Sequence, residues 1–154
     1  MKKYIVSNYM NPKVVTLPQD ATFKDAAKLM LGKHTNGIVI VDNENKVAGI
    51  LSSWDLIQYL VPDYLEEDKH LASFEAGDTF STRIDELAND PIMNFASKKV
   101  HTIKQTHSMM EASTLLSEFH IRQLPVVDDD DKLIGYLNRT DVKKAIGDVL
   151  KIKY

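Results

Sequence analysis

The sequence predicts an α/β fold made of two pseudo-symmetric β-α-β-β-α units that pack through their small sheets. The run VDNENKVAGILSSWD, which ends at Asp55, returns as VDDDDKLIGYLNRTD, which ends at Asp141. The matching residues lie 86 positions apart without a gap, since 141 minus 55 is 86. Strand-like and helix-like apolar spacing alternates in the same order in both copies. Because each unit is too small to bury both faces of its sheet alone, we expect the two units to share one body.

Each element of the first unit has a local signal. Apolar residues recur at three- and four-residue spacing after Thr22, an N-cap residue, and predict a helix that ends at Gly32. Two apolar, β-branched runs on either side of a polar turn predict a hairpin, and Pro62 ends the helix that follows. The predicted elements are a short helix at 4–10, an extended segment at 14–17, a helix at 22–32, strands at 38–41 and 47–51, and a helix at 53–60.

The second unit repeats this order after a charged linker. The stretch PDYLEEDKH, residues 62–70, predicts a solvated helical turn, and residues 73–82 are expected to be irregular. The predicted elements are then an extended segment at 101–103, a helix at 109–119, strands at 124–127 and 133–137, and a helix at 139–146. The corresponding domain boundaries are residues 4–60 for the first unit, 61–83 for the linker and 84–147 for the second unit.

Composition excludes several classes of protein. A hydrophobic content of 44% with 27% charged residues is typical of a globular protein, and the net charge of −3 argues against general nucleic-acid binding. No apolar run approaches the ~20 residues that a membrane-spanning helix needs, and the opening MKKYIVSNYM is not typical of a signal peptide. There is no cysteine, which excludes disulfides and thiol chemistry. We therefore expect a cytoplasmic protein that binds neither nucleic acid nor membranes.

The two copies resemble the cystathionine-β-synthase (CBS) domain, and their tandem resembles the CBS pair, or Bateman module. Each copy closes on a G-h-h-[ST]-x-x-D segment, where h is a hydrophobic residue. The segment is GILSSWD in the first copy and GYLNRTD in the second, and in the second copy LPVVD precedes it as the other strand of the hairpin. The likeness covers roughly residues 4–60 and 84–147, so we expect a stand-alone CBS pair. The resemblance implies a non-enzymatic regulatory module that senses an adenosine-containing ligand, with AMP, ADP and ATP foremost, in a cleft between the units. It also implies a homodimer and a partner protein that the module regulates.

By this resemblance, the ligand-binding residues divide between two crevices. In the first crevice, the Asp141 carboxylate accepts hydrogen bonds from the ribose hydroxyls. The helix dipole at the first turn of the same helix favours a bound phosphate by about 0.3–1 kcal/mol. The other residues of this crevice are Asn138, Arg139, Thr140, Tyr136 and Arg122 from the second unit and Met10, Val15, Thr35 and Asn36 from the first. In the second crevice, Asp55 takes the ribose. The other residues of that crevice are Ser52, Ser53, Ile50, His101 and Ile121.

The two crevices differ from the family pattern in different ways. Asn138 stands where the family usually has Ser or Thr, and Asn36 occupies a position that is often basic. We expect the Asp141 crevice to be preferred, because Arg139 and Arg122 supply positive charge for phosphate. His120, close to Arg122 in the sequence, is a further candidate for phosphate contact.

The same residues also fit a role that needs no ligand. Ser52-x-x-Asp55 and Asn138-x-x-Asp141 have the pattern of capping boxes, and a cap contributes ~1 kcal/mol to stability by itself. A dimeric scaffold that binds no nucleotide therefore stays open as the alternative function. The five histidines lack the spacing of metal ligands, and the acidic run 128–131 is typical of a solvated turn. We accordingly expect no cofactor, no metal site and no catalytic residues.

Overall fold

The structure, a computed structural model, describes residues 3–119 and 121–154. The described residues form two three-stranded sheets with helices packed against them. The strands are β1 (Thr16–Pro18), β2 (Gly37–Val41), β3 (Val47–Ser52), β4 (Ile103–Lys104), β5 (Gln123–Val127) and β6 (Leu133–Asn138). The helices are α1 (Phe23–Lys33), α2 (Ser53–Leu60), α3 (Asp63–Glu67), α4 (Thr79–Leu87), α5 (Met109–Glu118) and α6 (Arg139–Val149), with 3-10 turns at Val6–Asn8, Lys69–Phe74 and Ile92–Asn94.

The two sheets have the same topology and the same register. β1 runs parallel to β2 and β2 antiparallel to β3, and β4, β5 and β6 repeat this arrangement. Even the register shift recurs, between Ile40 and Val41 in the first sheet and between Val126 and Val127 in the second. The sequence repeat is therefore a repeat of backbone geometry, and the predicted α/β fold of two pseudo-symmetric units is confirmed.

Capping boxes begin the same two helices in each unit. In α1 and α5 the N-cap residues Thr22 and Ser108 accept a hydrogen bond from the third helical residue, whose carboxylate accepts one from the N-cap amide. The corresponding boxes of α2 and α6 are described with the site below. Such reciprocal bonds satisfy two amides that a helix start otherwise leaves without partners.

Each unit completes the core of the other. Val6, from the start of the chain, is fully buried in the core of the second unit, and Ile92, from the start of the second repeat, is fully buried in the core of the first. Matching backbone hydrogen bonds hold both segments, from Val6 N to His107 O at 2.9 Å and from Ile92 N to Ala21 O at 3.0 Å. The chain then crosses back to its own unit through residues 10–15 and 96–101, which we call the crossing segments.

The hairpins of the two sheets also meet directly. Leu133 N donates to Asn45 O at 3.0 Å, and the Asn45 side-chain amide donates to Leu133 O at 3.1 Å. At the other end of the hairpins, a Cβ on Gly37 would lie only 2.5 Å from Oε1 of Gln123, so β2 and β5 begin against each other. The units thus pack through their small sheets, as predicted.

Several predicted element boundaries differ from the structure. The first helix continues through Gly32 to Lys33, and the left-handed residue that ends it is His34, with φ of 50°. α4 already begins at Thr79, within the stretch expected to be irregular, and α6 extends beyond residue 146 to Val149. Residues 4–10 contain only a single 3-10 turn, and the amides of Val6 and Ser7 in it donate to carbonyls of the second unit. Among the described residues, none of the helices is long and apolar enough to cross a membrane.

Candidate functional site

Asp141 lies in the first turn of α6 and is almost completely buried, with 4% of its surface exposed. Its Oδ2 accepts a hydrogen bond from the Asn138 amide at 2.9 Å, and Asn138 Oδ1 accepts one from the Asp141 amide at 3.1 Å. Oδ1 of Asp141 is 3.6 Å from the ammonium of Lys144. The predicted capping role of the Asn138–Asp141 pair is therefore confirmed, and one carboxylate oxygen faces only a partly exposed lysine.

The first crossing segment pairs with β6, the strand that leads into the helix of this carboxylate. The backbones of Asn11 and Tyr136 pair in both directions, at 2.8 and 2.9 Å, and the Asn11 side-chain amide donates to the Tyr136 hydroxyl at 3.1 Å. Gly135 permits this approach, since a Cβ there would lie 2.9 Å from Asn11 O and 3.1 Å from Met10 Sδ. The structure therefore brings Met10 against β6, the strand that leads to Asn138 and Asp141, and its role in lining a ligand crevice stays a prediction.

Asp55 occupies the corresponding place in α2, in different surroundings. Its Oδ2 accepts hydrogen bonds from the Ser52 amide at 2.7 Å and from the Ser52 hydroxyl at 2.9 Å, which confirms the second capping box. The side chain is only half-buried. The residue one helical turn further on is Gln58 where α6 has Lys144, and within the described residues no cation lies within ion-pair distance of Asp55.

The second crossing segment lies beside Asp55 in the same manner. Ile50 and Ser97 exchange two backbone hydrogen bonds, both of 2.9 Å. Lys98 and Lys99 follow on this segment and are exposed. The imidazole of His101 stacks on Phe119, with ring centroids 3.7 Å apart. This segment thus carries two exposed basic residues, whereas α2 itself contains none.

The remaining predicted residues lie just before β1, β2 and β5 or in the first turn of α6. The Asn36 carbonyl accepts from the Ser53 amide at 2.9 Å, which holds Asn36 at the start of α2, and the Thr35 hydroxyl donates to Gly37 O at 3.0 Å. Val15 O accepts from the Val39 amide within the first sheet. Ile121 packs against the core of the second unit, and the other residues of this group, Arg122, Arg139 and Thr140, are exposed. His120 lies outside the described residues.

A cavity of about 300 Å³ adjoins Asp55 on the side of the linker. Arg83 closes one wall, because its guanidinium donates to Leu60 O at 3.1 Å and to Tyr59 O at 3.3 Å. The hydrogen bond from Tyr59 to Asp90 and burial raise the pKa of the Tyr59 hydroxyl. The lining residues are Asp55, Gln58, Tyr59, Val61, Asp63, Glu66, Arg83 and Phe95. Apart from Asp55, none of them is a predicted site residue, and four of them belong to the linker, which was expected to be a solvated connection.

A second cavity, of about 540 Å³, lies between β1 and α1 and is separate from both crevices. Its lining residues are Leu17, Pro18, Asp20, Ala21, Asp25, Lys28, Leu29, Gly32 and Lys33, and none of these is a predicted site residue. Volume alone therefore does not locate the site in this protein. The two capped carboxylates, each beside a crossing segment of the other repeat, locate it better.

The fold and these two carboxylates define a tandem pair of repeated α/β domains, with a capped carboxylate in the first turn of α2 and of α6. The family model described as CBS domain matches twice, at residues 6–62 and 92–148. The chain belongs to the CBS domain family and carries two of its domains.

The chain is similar to known proteins of more than one kind. It is 26% identical over 152 residues to the homoserine O-acetyltransferase of Methanococcus vannielii, covering 93% of this chain but 27% of that protein. The chain thus spans about a quarter of the length of the acetyltransferases that it matches. It is also 24% identical to CBSX2, a chloroplastic CBS domain-containing protein of Arabidopsis thaliana, over 92% of this chain and 63% of that one.

Two solved structures are similar in fold over nearly the whole chain. The crystal structure of CBSX2 in complex with AMP has a TM-score of 0.69 and 25% identity, and covers 96% of this chain and 98% of that one. The CBS pair of protein MJ0100, in complex with 5′-methylthioadenosine and S-adenosyl-L-methionine, has a TM-score of 0.67 and 22% identity, and covers 93% and 99%.

Proposed function

We propose that this CBS pair is a non-catalytic regulatory module that binds an adenosine-containing ligand in the Asp141 crevice and transmits its ligand state to a partner protein. The observation that carries the proposal is the nearly buried Asp141 carboxylate at the start of α6, beside a segment from the other repeat. A ligand at this place contacts both repeats at once. The AMP complex of CBSX2 supports an adenine nucleotide as the ligand class, with AMP, ADP and ATP foremost.

The chemistry of the crevice fits the parts of such a ligand. Oδ1 of Asp141 accepts hydrogen bonds from the ribose hydroxyls once Lys144, 3.6 Å away, has moved aside. Phosphate lies at the first amides of α6, where the helix dipole favours negative charge and Arg139 is exposed. Tyr136 and Met10 offer an aromatic ring and a polarisable sulfur for the adenine. Such a ligand shifts the conformation of the module to the extent that these contacts are stronger in one conformation than in another.

The alternative, a dimeric scaffold without ligand, has its own supporting observation. Large apolar side chains are exposed on helices of both repeats, and such a surface is typical of a protein–protein interface. They are Leu31 on α1, Trp54 and Ile57 on α2, Met110 on α5 and Ile146 on α6. Their presence favours a homodimer under either function, so dimerisation does not separate the two.

Stabilisation of the protein by ligand distinguishes the regulatory module from the scaffold. The melting temperature of the protein is measured with AMP, ADP, ATP, S-adenosylmethionine and cyclic di-AMP, for wild type, Asp141→Ala and Asp55→Ala. We expect saturable stabilisation by an adenine nucleotide, about 2.7 kcal/mol at a hundredfold excess over Kd, which Asp141→Ala abolishes.

The matched control is Asp25→Ala. It removes the same third-residue carboxylate from the exposed capping box of α1, away from both crevices. This variant is expected to lower the melting temperature of the free protein and to keep the response to ligand. If no ligand stabilises wild type at millimolar concentration, the sensor function is contradicted for this panel and the scaffold is favoured. Asp141→Ala responding like wild type would move the site away from the Asp141 crevice.

A further inference from the structure

The carboxylate of Asp148, near the end of α6, accepts hydrogen bonds from two tyrosines. The Tyr9 hydroxyl donates to Oδ2 at 2.8 Å, and the Tyr154 hydroxyl donates to Oδ1 at 3.1 Å. Tyr154 reaches this position because the chain reverses at Lys151, with φ of 57°, and its ring lies over Gly147. A Cβ on Gly147 would come within 3.1 Å of that ring. Neither tyrosine belongs to the predicted site.

Tyr9 immediately precedes the wall of the Asp141 crevice. Met10 and Asn11 are the next two residues, and Asn11 carries the paired hydrogen bonds to Tyr136. The helix that carries Asp141 in its first turn therefore also binds, near its other end, the residue that leads into the first crossing segment. Burial and the Asp148 carboxylate raise the pKa of Tyr9 to about 12, so the hydroxyl stays a donor at neutral pH.

The first repeat lacks this anchor. The residue 86 positions after Tyr9 is Phe95, and the residue 86 positions before Asp148 is Pro62. Phe95 instead stacks on Tyr59, with ring centroids 4.5 Å apart, and packs against Phe23 at 5.7 Å. The wall of the Asp55 crevice is thus held by aromatic packing, and the wall of the Asp141 crevice by a hydrogen bond to a carboxylate.

We propose that Tyr9 is a positioning residue for the Asp141 crevice, which it serves by tying the first crossing segment to Asp148 at the far end of α6. The expected effect of Tyr9 on ligand affinity rests on the proposed function. Its expected effect on the position of the crossing segment does not depend on any ligand. Loss of the tie lets residues 10 and 11 move away from Tyr136 and loosens the ligand's wall, while Asp141 and its cap are untouched.

The first test uses the free protein. Hydrogen exchange at the amides of Asn11 and Tyr136 is compared in wild type, Tyr9→Phe and Tyr64→Phe. Tyr64→Phe is the matched control, because Tyr64 also donates to a carboxylate, that of Glu75 at 2.6 Å, but lies in the linker. We expect faster exchange at both amides in Tyr9→Phe only. Unchanged exchange in that variant overturns the proposal, whatever the ligand results.

The second test is calorimetric titration with the nucleotide that stabilises wild type, AMP being the first probe. We expect Tyr9→Phe to weaken binding by about five- to tenfold, in line with one lost hydrogen bond to a charged group. Asp148→Asn keeps a side-chain acceptor and is expected to lose less affinity than Asp148→Ala, whereas Tyr64→Phe binds like wild type. Wild-type affinity in Tyr9→Phe overturns the proposal. If wild type binds no nucleotide but exchange rises as expected, the proposed function fails and the positioning role stands.

Discussion

Asp141 and Asp55 occupy the same backbone position of two repeats, yet their surroundings differ in burial and in charge. Asp141 is 4% exposed and lies 3.6 Å from the ammonium of Lys144. Asp55 is half-buried, and the residue in the place of Lys144 is the neutral Gln58. Beside Asp141 the crossing segment carries one lysine, Lys13, and beside Asp55 it carries two.

This difference shows which features the repeat preserves. The N-caps, the register and the register shift are the same in both sheets because they consist of main-chain hydrogen bonds on which the fold depends. The charged side chains around the carboxylates make few such bonds and are free to vary. One duplicated backbone can therefore present two crevices that select different ligands.

Truncation of Val6 or Ile92, the two residues that are buried in the core of the other unit, is expected to have the largest effect on stability. Ile92→Ala removes a fully buried side chain and should lower the free energy of unfolding by about 2–4 kcal/mol. Because Ile92 packs in the core of the first unit, hydrogen exchange should rise most at Ile38 and Ile40. Denaturant titration and exchange measurements check both. The matched variant Val6→Ala should instead affect Leu124 and Val126, and the reverse distribution would contradict the exchange of segments.

Glycine substitution tests how closely each crossing segment approaches its strand. Gly135→Ala places a Cβ 2.9 Å from a backbone oxygen and should cost about 1–3 kcal/mol of stability. Gly49→Ala is the matched change, and its nearest contact is longer, 3.1 Å to Ser97 O. Denaturant titration should therefore find Gly49→Ala the milder of the two. Equal losses would show that both walls approach their strands equally closely.

Removal of the third-residue carboxylate compares the capping boxes without ligand. Each alanine variant loses a cap of about 1 kcal/mol, and the loss should grow with burial, because water replaces the lost acceptor less readily. Asp25→Ala, at the exposed box, should therefore destabilise the protein least. Asp55→Ala, at the half-buried box, should be intermediate, and Asp141→Ala, at the buried box, should destabilise it most. Melting curves of the three variants check this order. A larger loss for Asp25→Ala than for Asp141→Ala would contradict it.

Swapping Lys144 of α6 and Gln58 of α2, the residues one turn after the two carboxylates, should have the smallest effect on stability. Lys144→Gln removes an ion pair whose lysine is half exposed, so stability should change by less than about 1 kcal/mol, and less still at high salt. Gln58→Lys installs the corresponding charge beside Asp55. Melting temperatures at two salt concentrations measure both changes. A large, salt-independent loss in Lys144→Gln would show that the lysine has a packing role instead.

Much of the fold was predictable because its signals are local. The hairpins follow from β-branched runs around a polar turn, and three of the capped helices follow from Thr22, Ser52 and Asn138. The start of α4 was missed because the third helical residue is Ser81, so the carboxylate that completes a capping box with Asp78 is lacking. The exchange of Val6 and Ile92 was not predicted, because apolar spacing shows that a residue is buried but not in which core.

The candidate site divides in the same way. The two carboxylates and their caps were predicted, because a box of four consecutive residues defines each of them. The cavity wall made by Arg83 was not predicted, because the Arg83 guanidinium binds the carbonyl oxygens of Tyr59 and Leu60, which lie more than twenty residues away in the sequence. The tie between Tyr9 and Asp148 is likewise a contact between opposite ends of the chain.

The exchange of segments also has a consequence for synthesis of the chain on the ribosome. The first unit lacks Ile92 until the second repeat has begun to emerge, and Val6 has no core to enter until still later. Val6 and His107, whose backbones are bonded, are 101 positions apart, since 107 minus 6 is 101. Contacts of such long range form late in folding and couple distant parts of a chain. We therefore expect both repeats to fold together, in one cooperative step, only after most of the chain has been made.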